Sequence, residues 1–123
     1  MLQKKTLGDK GEVLAIQFLK SQGYKIMQRN YRVKLGEIDI IARENDQICF
    51  VEVKTRSSER LGSPFEAISS SKQRKMSQVA SYYLNSHYAH QEIKARFDVV
   101  SILFDESGNE EIDLCKDAFE LSL

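Results

Sequence analysis

Proline occurs once among the 123 residues and cysteine twice, and no apolar run approaches the ~20 residues that a membrane-spanning helix needs. With only Pro64 and six scattered glycines, the chain has no Pro/Gly-rich linker, no low-complexity tract and no internal repeat. A single domain over residues 1–123 is therefore expected, with no membrane partner. Cys49 and Cys115 are too few and too widely spaced for a disulfide framework or a zinc site. The start Met1-Leu2-Gln3-Lys4-Lys5 leads into a mixed polar segment rather than a secretory h-region, so reduced thiols and a cytoplasmic location are expected.

A net charge is missing as well, because 18 Lys+Arg balance 18 Asp+Glu. That balance argues against avid, purely electrostatic nucleic-acid binding and allows a weaker, local kind. The charge is unevenly spread. Residues 1–35 hold eight basic and two acidic residues, whereas residues 105–123 hold one basic and seven acidic. Such a layout allows a basic face for an anionic partner, or head-to-tail self-association.

The residues present read as alternating helix and strand. Gly11, Leu14, Ala15, Phe18 and Leu19 recur at helical spacing between Asp9 and Gln22, and Gly23 stops the run. Tyr24 to Val33 reads as a strand. Two further strand-like runs, Glu37–Ala42 and Ile48–Lys54, flank the turn signal Asn45-Asp46 and predict a β-hairpin. Thr55 to Gly62 reads as a loop, and Ser63-Pro64-Phe65-Glu66 matches a capping box that opens a short helical turn. A longer helix starts at Ser70 with the stripe Met76, Val79, Ala80, Tyr83 and Leu84. Arg96 to Phe104 is a strand, followed by the turn Glu106–Asn109 and an acidic tail. The expected order is α-β-β-β-α-β, an α/β fold with a central mixed sheet flanked by helices.

The hairpin carries the chemistry. Alternation puts Glu37 and Asp39 on one face, Ile38 and Ile40 on the other, and Glu52 and Lys54 on a shared face of the next strand. If Asn45-Asp46 is a two-residue loop, Asp39 falls opposite Glu52 and Glu37 opposite Lys54. Opposed side chains lie about 4.5–5.5 Å apart, where like charges are destabilising. Two carboxylates amid apolar neighbours make sense around a cation, and hard oxygen ligands suit Mg²⁺ or Mn²⁺ better than zinc. Lys54 would stand beside that ion, able to orient a water or neutralise charge on phosphorus. The bland alternative is a half-exposed hairpin with a cross-strand ion-pair cluster.

Gly36-Glu37-Ile38-Asp39-Ile40-Ile41-Ala42, followed by Phe50-Val51-Glu52-Val53-Lys54-Thr55-Arg56, resembles the PD-(D/E)xK motif of the restriction-endonuclease-like superfamily. Ile38 stands where that motif has proline. Over nearly its whole length the chain resembles the YraN-like bacterial family, a predicted nuclease family similar to archaeal Holliday junction resolvases. Gly8-x-x-Gly11-Glu12, the Lys72 helix and Arg96-Phe97-Asp98 add to the likeness. The resemblance implies a restriction-endonuclease-like core and a divalent-metal-dependent endonuclease acting on branched or structured DNA. It implies Asp39, Glu52 and the Val53 carbonyl as ligands of Mg²⁺ or Mn²⁺, Glu12 as an added member of the metal site, and Lys54 as the group serving the attacking water. Because a junction offers two symmetric cleavage sites, it also implies a homodimer.

Beyond the hairpin, Arg56, Arg60, Lys72, Arg74 and Lys75 form a basic set suited to backbone phosphates. The last three lie at a helix start, where the macrodipole disfavours cations unless an anion docks there. Lys72 precedes Met76 by four residues and so points inward with the stripe. Tyr82, Tyr83 and Tyr88 read as core and rim aromatics rather than stacking platforms. His87 and His90 lack a third ligand, and Asp98 is structural or supports the site. Two rival readings are a non-catalytic nucleic-acid-binding module on the same fold and a protein-interaction domain.

Overall fold

The computed structural model describes residues 3–57 and 68–123, with side chains from residue 7 onward within that span. The capping box at Ser63–Glu66 and Arg60 lie outside the described residues. Helix α1 runs Gln3–Ser21, then come β1 (Lys25–Val33), β2 (Gly36–Glu44), β3 (Gln47–Arg56), α2 (Ser70–Tyr88), β4 (Lys94–Phe104) and β5 (Glu110–Phe119). They form an α/β architecture built on one five-stranded sheet in the order β1-β2-β3-β4-β5. All neighbouring pairs are antiparallel except β3 and β4, which run parallel and are joined through α2. A parallel pair needs such a crossover, since a tight turn cannot bring the chain back to its starting end.

Each helix covers one face of the sheet. Ala15 and Leu19 of α1 pack on Ile40, Ala42, Cys49, Val51, Val100 and Ile102. Met76, Val79, Ala80 and Tyr83 of α2 pack on Ile38, Ile41, Ile48, Phe50 and Phe97. Central β3 is buried from Ile48 to Glu52, as a strand covered on both faces should be. Gly23, at φ +97°, ends α1 in the left-handed region that glycine enters without strain. Gly11 matters for a different reason. A Cβ there would collide with the Thr55 side chain, so the missing side chain lets α1 lie close against the end of β3.

The expected order is short by one strand. The acidic tail is β5, which pairs with β4 from Phe104↔Glu110 to Phe97↔Phe119. Its acids face water, while Ile112 and Leu114 pack on the α1-side core, which is the alternation of an edge strand. Among the described residues no helix is long and apolar enough to cross a membrane. Cys49 and Cys115 are both free, and burial pushes the Cys49 thiol up to about 12, which leaves it protonated and inert.

Candidate active site

The hairpin register follows from its turn. Glu44 pairs with Gln47, leaving Asn45-Asp46 as a two-residue loop, with Asn45 at φ +54°. The β2–β3 ladder then runs to Ile40↔Val51 and stops. Asp39 and Glu52 are the next positions in that register, one on each strand, where the two strands begin to part. Glu37 does not meet Lys54. It pairs instead with Arg32 of β1, whose Nε lies 3.1 Å from its Oε1.

The strands part because the alternation of faces breaks at Asp39. Ile38 belongs to the α2-side core and Ile40 to the α1-side core, although plain alternation would put both on one face. The same flip occurs on β1 at Asn30, the position opposite Asp39, which sits at φ +51°. Asparagine is among the few residues that enter this region at modest cost. Freed from the regular ladder, the Asp39 carboxylate turns between the strands, and its Oδ2 accepts the Val53 N–H at 2.8 Å. A kink shared by two strands thus gives the aspartate its position.

Asp39 lines two cavities at once. One, about 560 Å³, lies on the α1 side and is bounded by Glu12, Asn30, Arg32, Val53 and Thr55 among others. The second, about 280 Å³, lies on the α2 side against Lys72, Lys75 and Met76. Burial first, and then the charges of Glu52 and Glu12, push the Asp39 carboxyl up to about 7. The Val53 N–H and Lys72 oppose that rise. Glu52 is buried on the α2 face, and its Oε2 lies 3.4 Å from Lys72 Nζ. Lys54 is half-buried, shares the Glu52 face by alternation, and pairs with no carboxylate among the described residues. Glu12 reaches the wider cavity from α1 but is tied to β1, accepting from Asn30 Nδ2 at 3.2 Å with Arg29 Nη2 at 3.6 Å.

Among the described residues no group of three His, Cys, Asp or Glu side chains could hold a metal ion between them. Asp39 and Glu52 are neighbouring carboxylates, and Glu12 shares the wider cavity with Asp39 alone of the two. The pair nonetheless suits Mg²⁺ or Mn²⁺, which are typically held by one or two carboxylates with water and substrate oxygens completing the shell. Val53 adds a donor, since the N–H and C=O of an extended residue lie on the same edge of the strand, here the Asp39 edge.

Of the basic set, Lys72 faces Glu52, Lys75 borders the narrower cavity, Arg74 is exposed on α2 and Arg56 is half-buried at the end of β3. His87 stacks on Tyr83 and its Nδ1 lies 3.0 Å from the Tyr83 carbonyl, a structural role. Asp98 is fully buried, bound to Tyr24 and Arg96, and belongs to the scaffold. Asn30 and the Gly11–Thr55 contact escaped the reading of the sequence. An asparagine inside a strand-like run was the available signal for the first.

Asp39 predicts a pH dependence. Its carboxyl titrates higher in the folded chain than in the unfolded one, so the folded state binds more protons between about pH 4 and 7. Stability in EDTA should fall as pH rises through that window and then level off. Asp39→Asn keeps an acceptor for the Val53 N–H and removes the charge. It should melt roughly 5 °C above the parent at pH 8, with a smaller gain at pH 5. A lower melting temperature at pH 8 would show that the carboxylate is a structural ion-pair partner instead.

The comparisons with known proteins agree over most of the length. Residues 11–102 match the model of uncharacterised protein family UPF0102. A UPF0102 protein from Caldicellulosiruptor saccharolyticus is 46% identical over 119 residues, spanning 96% of this chain and 100% of the relative. One from Clostridium botulinum is 42% identical over 118 residues, spanning 95% and 96%. Another, from Geotalea uraniireducens, is 46% identical over 118 residues, spanning 96% and 92%. With full-length relatives at this identity and a hairpin that carries the motif, the chain belongs to the UPF0102 family, the YraN-like family its sequence resembles.

Proposed function

We propose that the chain is a divalent-metal-dependent DNA endonuclease with a restriction-endonuclease-like core, acting on branched or otherwise structured DNA. The observation that carries this reading is the carboxylate pair Asp39 and Glu52, held at the parting of two strands with Lys54 on the Glu52 face. A sheet gains no stability from such a pair, and the raised Asp39 carboxyl records the cost.

Asp39, Glu52 and the Val53 carbonyl would hold Mg²⁺ or Mn²⁺. When bound, the ion supplies charge stabilisation at the phosphoryl oxygens and a more acidic water. The Lys54 ammonium orients the attacking water and offsets the negative charge that grows on the phosphoryl group. Lys72, Lys75 and Arg74 at the start of α2 dock the DNA backbone, which sets position without reading sequence. Glu12 holds Asn30 at the wall of the wider cavity, pairs with Arg29, and acts on the site through its charge or through water. A homodimer would place two such sites on the two symmetric strands of a junction.

The test is cleavage in Mn²⁺ across linear, nicked, flap and four-way DNA, with Asp39→Ala as the control. Cleavage of a branched substrate that disappears in EDTA and in Asp39→Ala is the expected result. Binding without cleavage would leave a nucleic-acid-binding module, and neither would favour a protein-interaction domain.

A further inference from the structure

Lys72 occupies an electrostatically awkward place. It is the third residue of α2, and its N–H donates to the cap hydroxyl of Ser69 at 3.1 Å. The positive end of the helix dipole disfavours a cation there. Glu52 supplies the compensation, with its Oε2 3.4 Å from Lys72 Nζ. The glutamate side chain is 9% exposed and the lysine 46%, so the ammonium stands at the boundary between the buried carboxylates and open space. That space is the narrower cavity, where Asp39, Glu37 and Lys75 join Lys72 in the lining. Lys72 therefore has carboxylates on one side and a cavity shared with a second lysine on the other.

Building on the nuclease reading above, we propose that Lys72 is a positioning residue that couples metal binding to phosphate binding. Its ammonium neutralises Glu52 while the carboxylate pair holds no divalent ion. A divalent ion on that pair displaces it into the cavity, where with Lys75 it takes a backbone phosphate oxygen. The direction follows from magnitudes. A half-exposed lysine–carboxylate pair is weak, whereas a divalent ion a few ångströms away repels the ammonium with twice the charge. Metal thus prepares the phosphate site, and by linkage phosphate must raise metal affinity by the same factor.

Mn²⁺ binding to the free protein, followed by loss of the free-ion paramagnetic resonance signal, tests this without any cleavage. Lys72→Gln should bind Mn²⁺ about tenfold more tightly than the parent, because no ammonium has to be displaced. Lys75→Gln removes a charge from the same cavity but not the Glu52 partner, and should stay within about twofold of the parent. DNA affinity in Ca²⁺ against EDTA gives the second readout. Calcium should strengthen DNA binding by the parent and do so much less for Lys72→Gln. Equal or weaker Mn²⁺ binding by Lys72→Gln, or the same gain in Lys75→Gln, overturns the proposal while leaving the nuclease reading intact. If the parent binds no Mn²⁺, or Asp39→Asn binds it equally well, the nuclease reading fails and takes this proposal with it.

Discussion

Arg96→Met should cost about 3–5 kcal/mol of folding stability, a large part of what a domain of this size has to lose. The reason is Asp98, which is fully buried. Its Oδ1 accepts from Arg96 Nε and from the Asp117 N–H, each at 2.9 Å, and its Oδ2 accepts the Tyr24 hydroxyl at 2.8 Å. Arg96 also donates to Tyr24 Oη at 3.0 Å and pairs with Glu44. One guanidinium thus joins the α1–β1 connection at Tyr24, the β2–β3 hairpin and β4, and through Asp98 it reaches β5. Methionine would keep the volume and leave a carboxylate in the interior without its cation. Adding Asp98→Asn should recover part of the loss, since asparagine can still accept from Asp117. Urea unfolding of the single and double variants measures both quantities. If Arg96→Met stays within about 1 kcal/mol of the parent, the buried ion pair is not what holds these elements together.

Lys54→Ala should lower cleavage of a branched substrate by at least roughly 100-fold while Mn²⁺ binding stays close to that of the parent. The argument rests on a division of labour between two lysines. Lys72 neutralises Glu52 in the empty site and serves the DNA backbone in the loaded one, whereas Lys54 pairs with no carboxylate among the described residues and lies on the Glu52 face two residues on. Its charge is therefore available to a transition state rather than to the empty site. Single-turnover rates in Mn²⁺, set beside metal titrations of the same preparations, separate chemistry from binding. Parent-like cleavage by Lys54→Ala would remove Lys54 from the chemistry. Loss of cleavage and metal affinity together would place it in the metal site itself.

Much of this geometry was legible in local sequence. Asn45-Asp46 signalled the turn, and taking it as a two-residue loop, which the Glu44–Gln47 pairing bears out, matches Asp39 to Glu52 from their numbers. The helical stripe from Met76 to Leu84 was equally plain, because a 3.6-residue period is a local property. The edge strand β5 was obscured by its acids. Glu110, Glu111, Asp113 and Asp117 dominate the composition there, and only Ile112 and Leu114 carry the alternation.

By itself the amino-acid sequence determined every described element except β5, and it placed two carboxylates on adjacent strands, since these follow from turns and periodicities within about twenty residues. Three things waited for the tertiary structure. The flip of faces at Asn30 and Asp39 depends on two strands kinking together. The partner of Lys72 lies twenty residues back in β3 and is reached only because α2 crosses over the sheet. The raised Asp39 carboxyl comes from burial and from glutamates on β3 and α1. The strength of a charge interaction is set by distance in space and by exclusion of water, and neither quantity exists until the helices close over the sheet.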